Sequence, residues 1–138
     1  MNRDDLHRLS RMRAQEARAL LQAGHFAGSY YLMGYSVECA IKAAIAKRTQ
    51  RHDFPDKQLA LDSYKHDLLS LLQTAGLRAT LDTAIAASTP LRNNWAVVKD
   101  WSETMRYETG IAESTARDYY TACTARTHGI LRWLKNYW

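Results

Sequence analysis

One stretch of the sequence, Phe26 to Arg48, decides most of what the chain can fold into. Phe26, Tyr30, Met33, Val37, Ile41 and Ala44 recur at spacings of 4, 3, 4, 4 and 3, the period of one face of an α-helix. Tyr31, Leu32 and Tyr35 widen that face, so the segment is apolar over most of its circumference. A helix of that kind sits in the middle of a fold and needs partners on several sides. The pattern predicts a central helix from about Phe26 to Lys47 or Arg48.

The remaining segments supply helical partners. No stretch alternates apolar and polar residues at period two, and Gly (6) and Pro (2) are scarce, so strands are not expected. A first helix is predicted from about Asp4 to Ala23, with acidic residues at its start and Gly24 as its stop. Thr49 to Lys65 reads as a polar connection around Pro55, with one short turn near Lys57 to Leu61. His66-Asp67 opens a third helix whose apolar face is Leu68, Leu69, Leu71, Leu72 and Ala75, ended by Gly76. Leu77 to Ala87 forms a fourth. Thr89 then reads as an N-cap with Pro90 at the first helical position, and Leu91, Trp95, Val98 and Trp101 continue the period. After a loop near Tyr107 to Ile111, a last helix is predicted from Ser114 to Tyr137, its stripe interrupted by Arg126. The expected architecture is all-α, one domain over residues 1–138, an up-and-down bundle of four to five helices with two long antiparallel ones.

Composition narrows the function classes. The net charge is +5, which permits an anionic partner without requiring one. Cys39 and Cys123 lie in apolar segments, with no second ligand at metal spacing, so neither a disulfide framework nor a zinc site is expected. Ala19 to Val37 carries no Asp, Glu, Lys or Arg, but Gln22, Gly24, His25, Gly28, Ser29 and Ser36 interrupt it; lipid would penalise those groups. The expectation is a soluble cytoplasmic chain with no membrane contact, no metal and no cofactor.

Generic catalytic signatures are absent: no Gly-rich phosphate loop, no zinc helix, no nucleophile elbow. Three short features remain. Glu38 and Lys42 are four apart in the central helix and pair on one face, an ordinary intrahelical ion pair on its simplest reading. His66 precedes an apolar helix, where it serves helix-start chemistry or faces a cleft. Arg106 and Tyr107 end a helix, where a cation suits the dipole; equally, an Arg beside an aromatic holds a phosphate or stacks on a base.

In this order, over residues 14 to 136, these features resemble the HEPN family of prokaryotic helical domains. The resemblance rests on Ala17 to Leu21, Gly24-His25-Phe26, Tyr30-Tyr31, Glu38 to Lys42, His66-Asp67-Leu68 with Leu71, and Arg106-Tyr107. It implies a helical bundle, often dimeric. Its members are RNA-cutting toxins of defence or toxin–antitoxin systems, partners of small nucleotidyltransferases, or binders of nucleotides or RNA. The cutting members carry Arg, four to six residues, then His. Here no His follows Arg92 or Arg106 in that window. Arg18 and His25 match it only across the end of the first helix, and Arg48 to His52 falls one residue short.

The expected function is therefore a non-catalytic HEPN-like module in a toxin–antitoxin, defence or nucleotidyltransferase-linked pair. Nucleotide or RNA contacts would come from Arg106, Tyr107, Lys42, Glu38 and His66. The alternative is a metal-independent ribonuclease using His66 and Arg106. Four Trp and eight Tyr exceed what so small a bundle hides, so a homodimer with Trp133, Tyr137 and Trp138 as contributors is also expected, beside a possible nucleotidyltransferase-type partner.

Overall fold

The computed structural model describes residues 1–50 and 56–138, and every regular element among them is helical. In order they are α1 (Arg3–Gln22), α2 (Phe26–Gln50), α3 (Lys57–Ser63), α4 (Leu68–Thr74), α5 (Arg78–Ala87), α6 (Thr89–Val98), a 3-10 helix (Glu103–Tyr107), α7 (Glu113–Thr124) and α8 (Ile130–Leu134). The all-α class is as expected. The expected four to five helices are too few, because short segments read as connections are helical and the last helix is broken. Part of the connection around Pro55 lies outside the described residues.

Local chemistry sets the first hairpin. The Asn2 side chain accepts from the Asp5 backbone N–H and the Asp5 carboxylate accepts from the Asn2 N–H, a reciprocal cap that satisfies two donors α1 would otherwise leave open. α1 ends where Gly24 takes a φ of +82°, a left-handed conformation that costs a residue with Cβ. The turn is so short that α2 must run back along α1. Small residues let the two backbones come close: Ser10, Ala17, Ser29 and Ser36 are all buried. Ser10 Oγ donates to the Ser36 carbonyl at 2.9 Å, Ser36 Oγ to the Ser10 carbonyl at 2.7 Å, and Ser29 Oγ to the Ala17 carbonyl at 2.8 Å. The buried hydroxyls are thus paired, and each bond contributes about 1 kcal/mol net.

α2 is the axis of the fold. α1, α4, α7, α8 and the 3-10 helix all pack on it. From Gly34 to Ile45 every residue is buried except Tyr35 and Lys42. Met33, Val37, Ile41 and Ala44 from the predicted stripe are buried, while Phe26 and Tyr30 are half-buried. Trp101, just past α6, is buried over Gly34; a Cβ at that glycine would stand 2.1 Å from the Trp101 indole nitrogen. The glycine is there to admit the indole.

Three expectations are corrected. Leu69 belongs to the apolar face of α4 by spacing but is exposed; the face that meets α2 is Leu68, Leu71 and Leu72. α6 begins at Thr89, and its cap is Ser88, whose hydroxyl accepts from the Leu91 N–H at 3.3 Å. The predicted last helix stops at Thr124 and resumes at Ile130. Gly129 closes that break so tightly that a Cβ there would lie 2.4 Å from the Ala125 carbonyl oxygen, and the Asn94 amide donates to the His128 carbonyl at 2.8 Å. Arg126 falls in the break and is exposed, which is why it interrupts the stripe.

The break turns α8 so that the C-terminal aromatics pack within the chain. The Trp133 and Tyr137 rings meet at 4.9 Å, and Trp138 lies against His7 at 4.2 Å. The imidazole of His7 is held below its ordinary pKa of 6.5 by burial, then by the positive charges of Arg3, Arg11 and Lys47, with Asp4 opposing them.

Two outcomes are expected. Gly34→Ala must push Trp101 off α2 and should lower stability by about 1–3 kcal/mol in urea denaturation; an unchanged midpoint would contradict the packing. Acidification should act through His7. The unfolded imidazole takes up a proton near 6.5 and the folded one only at lower pH, so its contribution is complete above that value and lost as pH falls through it. Thermal melts should therefore show a fall in stability below about pH 6.5 that is shallower in His7→Gln; equal slopes would refute this.

Candidate functional site

The site is built on one stripe of α2. Tyr31, Tyr35, Glu38 and Lys42 stand at positions that share a helix face. Tyr31 stacks near Tyr35 at 6.3 Å and near Trp101 at 5.9 Å, so the upper part of the stripe is aromatic. Glu38 is 1% exposed. The expected intrahelical pair of Glu38 and Lys42 is formed, but it is not an exposed one: Lys42 Nζ reaches Glu38 Oε1 at 2.9 Å from the edge of the site, while the carboxylate is enclosed.

His66 is delivered by the start of α4. Asp67, not His66, caps that helix: its carboxylate accepts from the Ser70 N–H at 3.0 Å and from the Ser70 hydroxyl at 2.5 Å. With the cap made by its neighbour, the imidazole turns to α2. Nδ1 lies 2.6 Å from Glu38 Oε1. Nε2 lies 3.2 Å from Glu103 Oε2, on the 3-10 helix. One imidazole therefore joins three elements. Lys42 and His66 meet the same oxygen of Glu38, and its Oε2 is buried with no hydrogen-bond partner. Such an atom costs free energy on desolvation, about 1–3 kcal/mol, and is retained where a site needs it.

Arg106 and Tyr107 follow Glu103 in the same 3-10 helix. The Arg106 guanidinium carbon stands 4.9 Å from the centre of the Tyr107 ring. Both side chains are exposed, Tyr107 at 72%. Its interactions with Tyr107, then Glu103, hold Arg106 above its ordinary pKa. The outward face is a planar cation beside a planar ring.

Of the residues singled out from sequence, Glu38, Lys42 and His66 are in direct contact, and Arg106 and Tyr107 stand on the element that the imidazole ties in. Glu103, Tyr31, Tyr35 and Trp101 were not singled out as site residues. Glu103 lies one helical turn before Arg106, and that spacing was its only signal. The other sequence candidates are apart from this place: His25 is exposed in the first turn, and His52 lies outside the described residues.

The arrangement limits the chemistry. Nδ1 of His66 is taken up by the buried Glu38, while Nε2 lies 3.2 Å from Glu103 on the exposed side of the ring. Burial, then Glu38, pushes the Cys39 thiol up to about 12, and burial raises Cys123 as well; neither is an activated nucleophile. Among the described residues no three His, Cys, Asp or Glu side chains are grouped to hold a metal ion, and no helix is long and apolar enough to cross a membrane. The chain matches no protein-family profile, no curated protein and no solved structure.

Removing the imidazole should release the 3-10 helix. In His66→Ala, amide hydrogen exchange at residues 103–107 should accelerate and global stability should fall by about 1 kcal/mol. Unchanged exchange there would mean that His66 does not tie the element down.

Proposed function

We propose that the chain is a non-catalytic, HEPN-like binding module that presents Arg106 and Tyr107 to a nucleotide or to single-stranded RNA. One observation carries this reading: the Arg106 guanidinium and the Tyr107 ring stand exposed and side by side at 4.9 Å, on the 3-10 helix whose Glu103 lies beside the His66–Glu38 contact. A guanidinium beside a tyrosine suits a phosphate and a base stacked next to it. The exposed aromatic residues also suit assembly, as a homodimer or with a partner such as a nucleotidyltransferase in a toxin–antitoxin or defence pair. Trp133, Tyr137 and Trp138, however, already pack within the chain, so Tyr64 and Tyr107, at 78% and 72% exposure, are the freer rings for such a contact.

The competing reading, a metal-independent ribonuclease using His66 and Arg106, is tested by the same experiment. Pure protein is incubated with mixed single-stranded RNA without metal, beside His66→Ala and Arg106→Ala. The expected result is intact RNA, with binding that weakens as salt rises and weakens further in Arg106→Ala. Cleavage by the wild type that both variants lose would overturn the binding module and establish the ribonuclease.

A further inference from the structure

The break between α7 and α8 re-aims three cations. In a helix running on unbroken from Thr124, Arg126 and Lys135 would stand about two and a half turns apart, on opposite faces. Arg132 would lie about 120° around the axis from Arg126. Because α7 stops at Thr124 and α8 starts at Ile130, Arg126, Arg132 and Lys135 instead line one depression of about 210 Å³. Ala14 of α1 and the buried Leu131 of α8 give it an apolar wall. The backbone that carries the cations is fixed by contacts outside the depression. Gly129 lies so close to the Ala125 carbonyl oxygen that a Cβ there would stand 2.4 Å from it, and the Asn94 amide of α6 donates to the His128 carbonyl at 2.8 Å.

None of the three is neutralised within the chain. Among the described residues no carboxylate lies within 4.0 Å of Arg126, Arg132 or Lys135. By contrast Arg13, Arg78 and Arg117 each have an acidic partner three or four residues away on their own helix. Lys135 is also seated. Its Nζ stands 5.6 Å from the centre of the Trp138 ring, and a cation over an aromatic face is pre-positioned rather than free in solvent. A helix C-terminus attracts a cation, which accounts for one at the end of each helix. It does not account for three that converge on one depression without a counter-charge. Like charges gathered in this way favour an anion between them.

We propose that this depression binds a doubly charged phosphate group, either inorganic phosphate or the phosphate of a small phosphomonoester. Arg126 from within the break and Arg132 from α8 donate to its oxygens, and Lys135 supplies the third charge from beside Trp138. Charge selects the class: a phosphomonoester carries about −1.5 to −2 at pH 7, whereas a phosphodiester in a nucleic-acid backbone carries a single charge. Size agrees. A volume of about 210 Å³ falls below the roughly 300–1,000 Å³ of sites that enclose a whole drug-sized ligand. It admits the phosphate and leaves the remainder of an ester in solvent. The site lies on other elements than Arg106 and Tyr107 and is independent of them.

The test is a proton–nitrogen NMR titration of the full chain at low salt, with inorganic phosphate, glycerol phosphate and dimethyl phosphate as probes. The variants are Arg126→Gln/Arg132→Gln and Arg106→Ala, each checked for folding by circular dichroism. Amides of residues 124–126 and 131–135 should shift saturably with phosphate and with glycerol phosphate. The singly charged dimethyl phosphate should bind more weakly by roughly tenfold, and the double variant should weaken both dianions by roughly tenfold or more. Arg106→Ala should change nothing. Tighter binding of glycerol phosphate than of phosphate assigns an ester; equal or weaker binding assigns the inorganic ion. If the double variant does not fold, Arg126→Gln alone, at an exposed position in the break, should still weaken binding, and wild-type affinity should fall as salt rises. Absence of a saturable shift at these residues, dimethyl phosphate binding as well as the dianions, full affinity in the arginine variants, or a response to single-stranded RNA alone would overturn the proposal. Loss of the phosphate response in Arg106→Ala would also overturn it and place the anion at the 3-10 helix.

Discussion

A carboxylate enclosed in the middle of the central helix is the interaction on which the rest of this structure turns. Glu38 lies buried on α2 among mostly apolar residues, where an ionisable group costs free energy that partners must offset; its Oε2 has no partner, and its Oε1 has two. Lys42 meets it from its own helix and His66 from the start of α4. The imidazole then reaches Glu103, so the 3-10 helix is tied to α2 through a group with no apolar role. Around this junction the packing is ordinary: Leu68, Leu71 and Leu72 seat α4 on α2, and Trp101 over Gly34 brings the chain past α6 to the same face. Apolar burial brings the elements together, and the Glu38 junction fixes how the 3-10 helix is presented.

The charged groups are divided between two places. Around Glu38, Lys42 and His66 each have a carboxylate, and Arg106 and Tyr107 look outward. Elsewhere, Arg11 from α1 and Lys135 just past α8 stand over the Trp138 ring at 5.2 and 5.6 Å. The first arrangement links α2 to the start of α4. The α1–α2 hairpin joins them: its serine bonds fix the register in which Arg3, His7 and Arg11 come alongside Lys47.

Much of the fold was legible in the sequence because its strongest signals are local. The α2 stripe, the acidic start of α1, and Gly24 and Gly76 as stops are each decided by residues within a turn or two. The break in the last helix was not. Residues 124–129 include no proline, and Arg126 is a good helix former; Gly129 was the one local signal, and the Asn94 amide that holds the His128 carbonyl there comes from far away in sequence. The cap of α6 was misread by one residue because Ser88 and Thr89 are both competent caps, and only packing chooses between them. In the site, Glu38, Lys42, His66, Arg106 and Tyr107 stood out by type and spacing. That Glu38 is buried, that Asp67 takes the cap and frees His66, and that Glu103 completes the bridge are facts of tertiary structure with no local signature.

The central claim is that Glu38 and His66 act on each other and not merely near each other. A double-mutant cycle measures this directly, with urea denaturation of the wild type, Glu38→Gln, His66→Ala and the double variant. Because the two groups share one short contact, their losses should not add, and the cycle should return a coupling of about 1–2 kcal/mol. Additive losses, with coupling within a few tenths of a kcal/mol of zero, would contradict the account and reduce the junction to two side chains that happen to be neighbours.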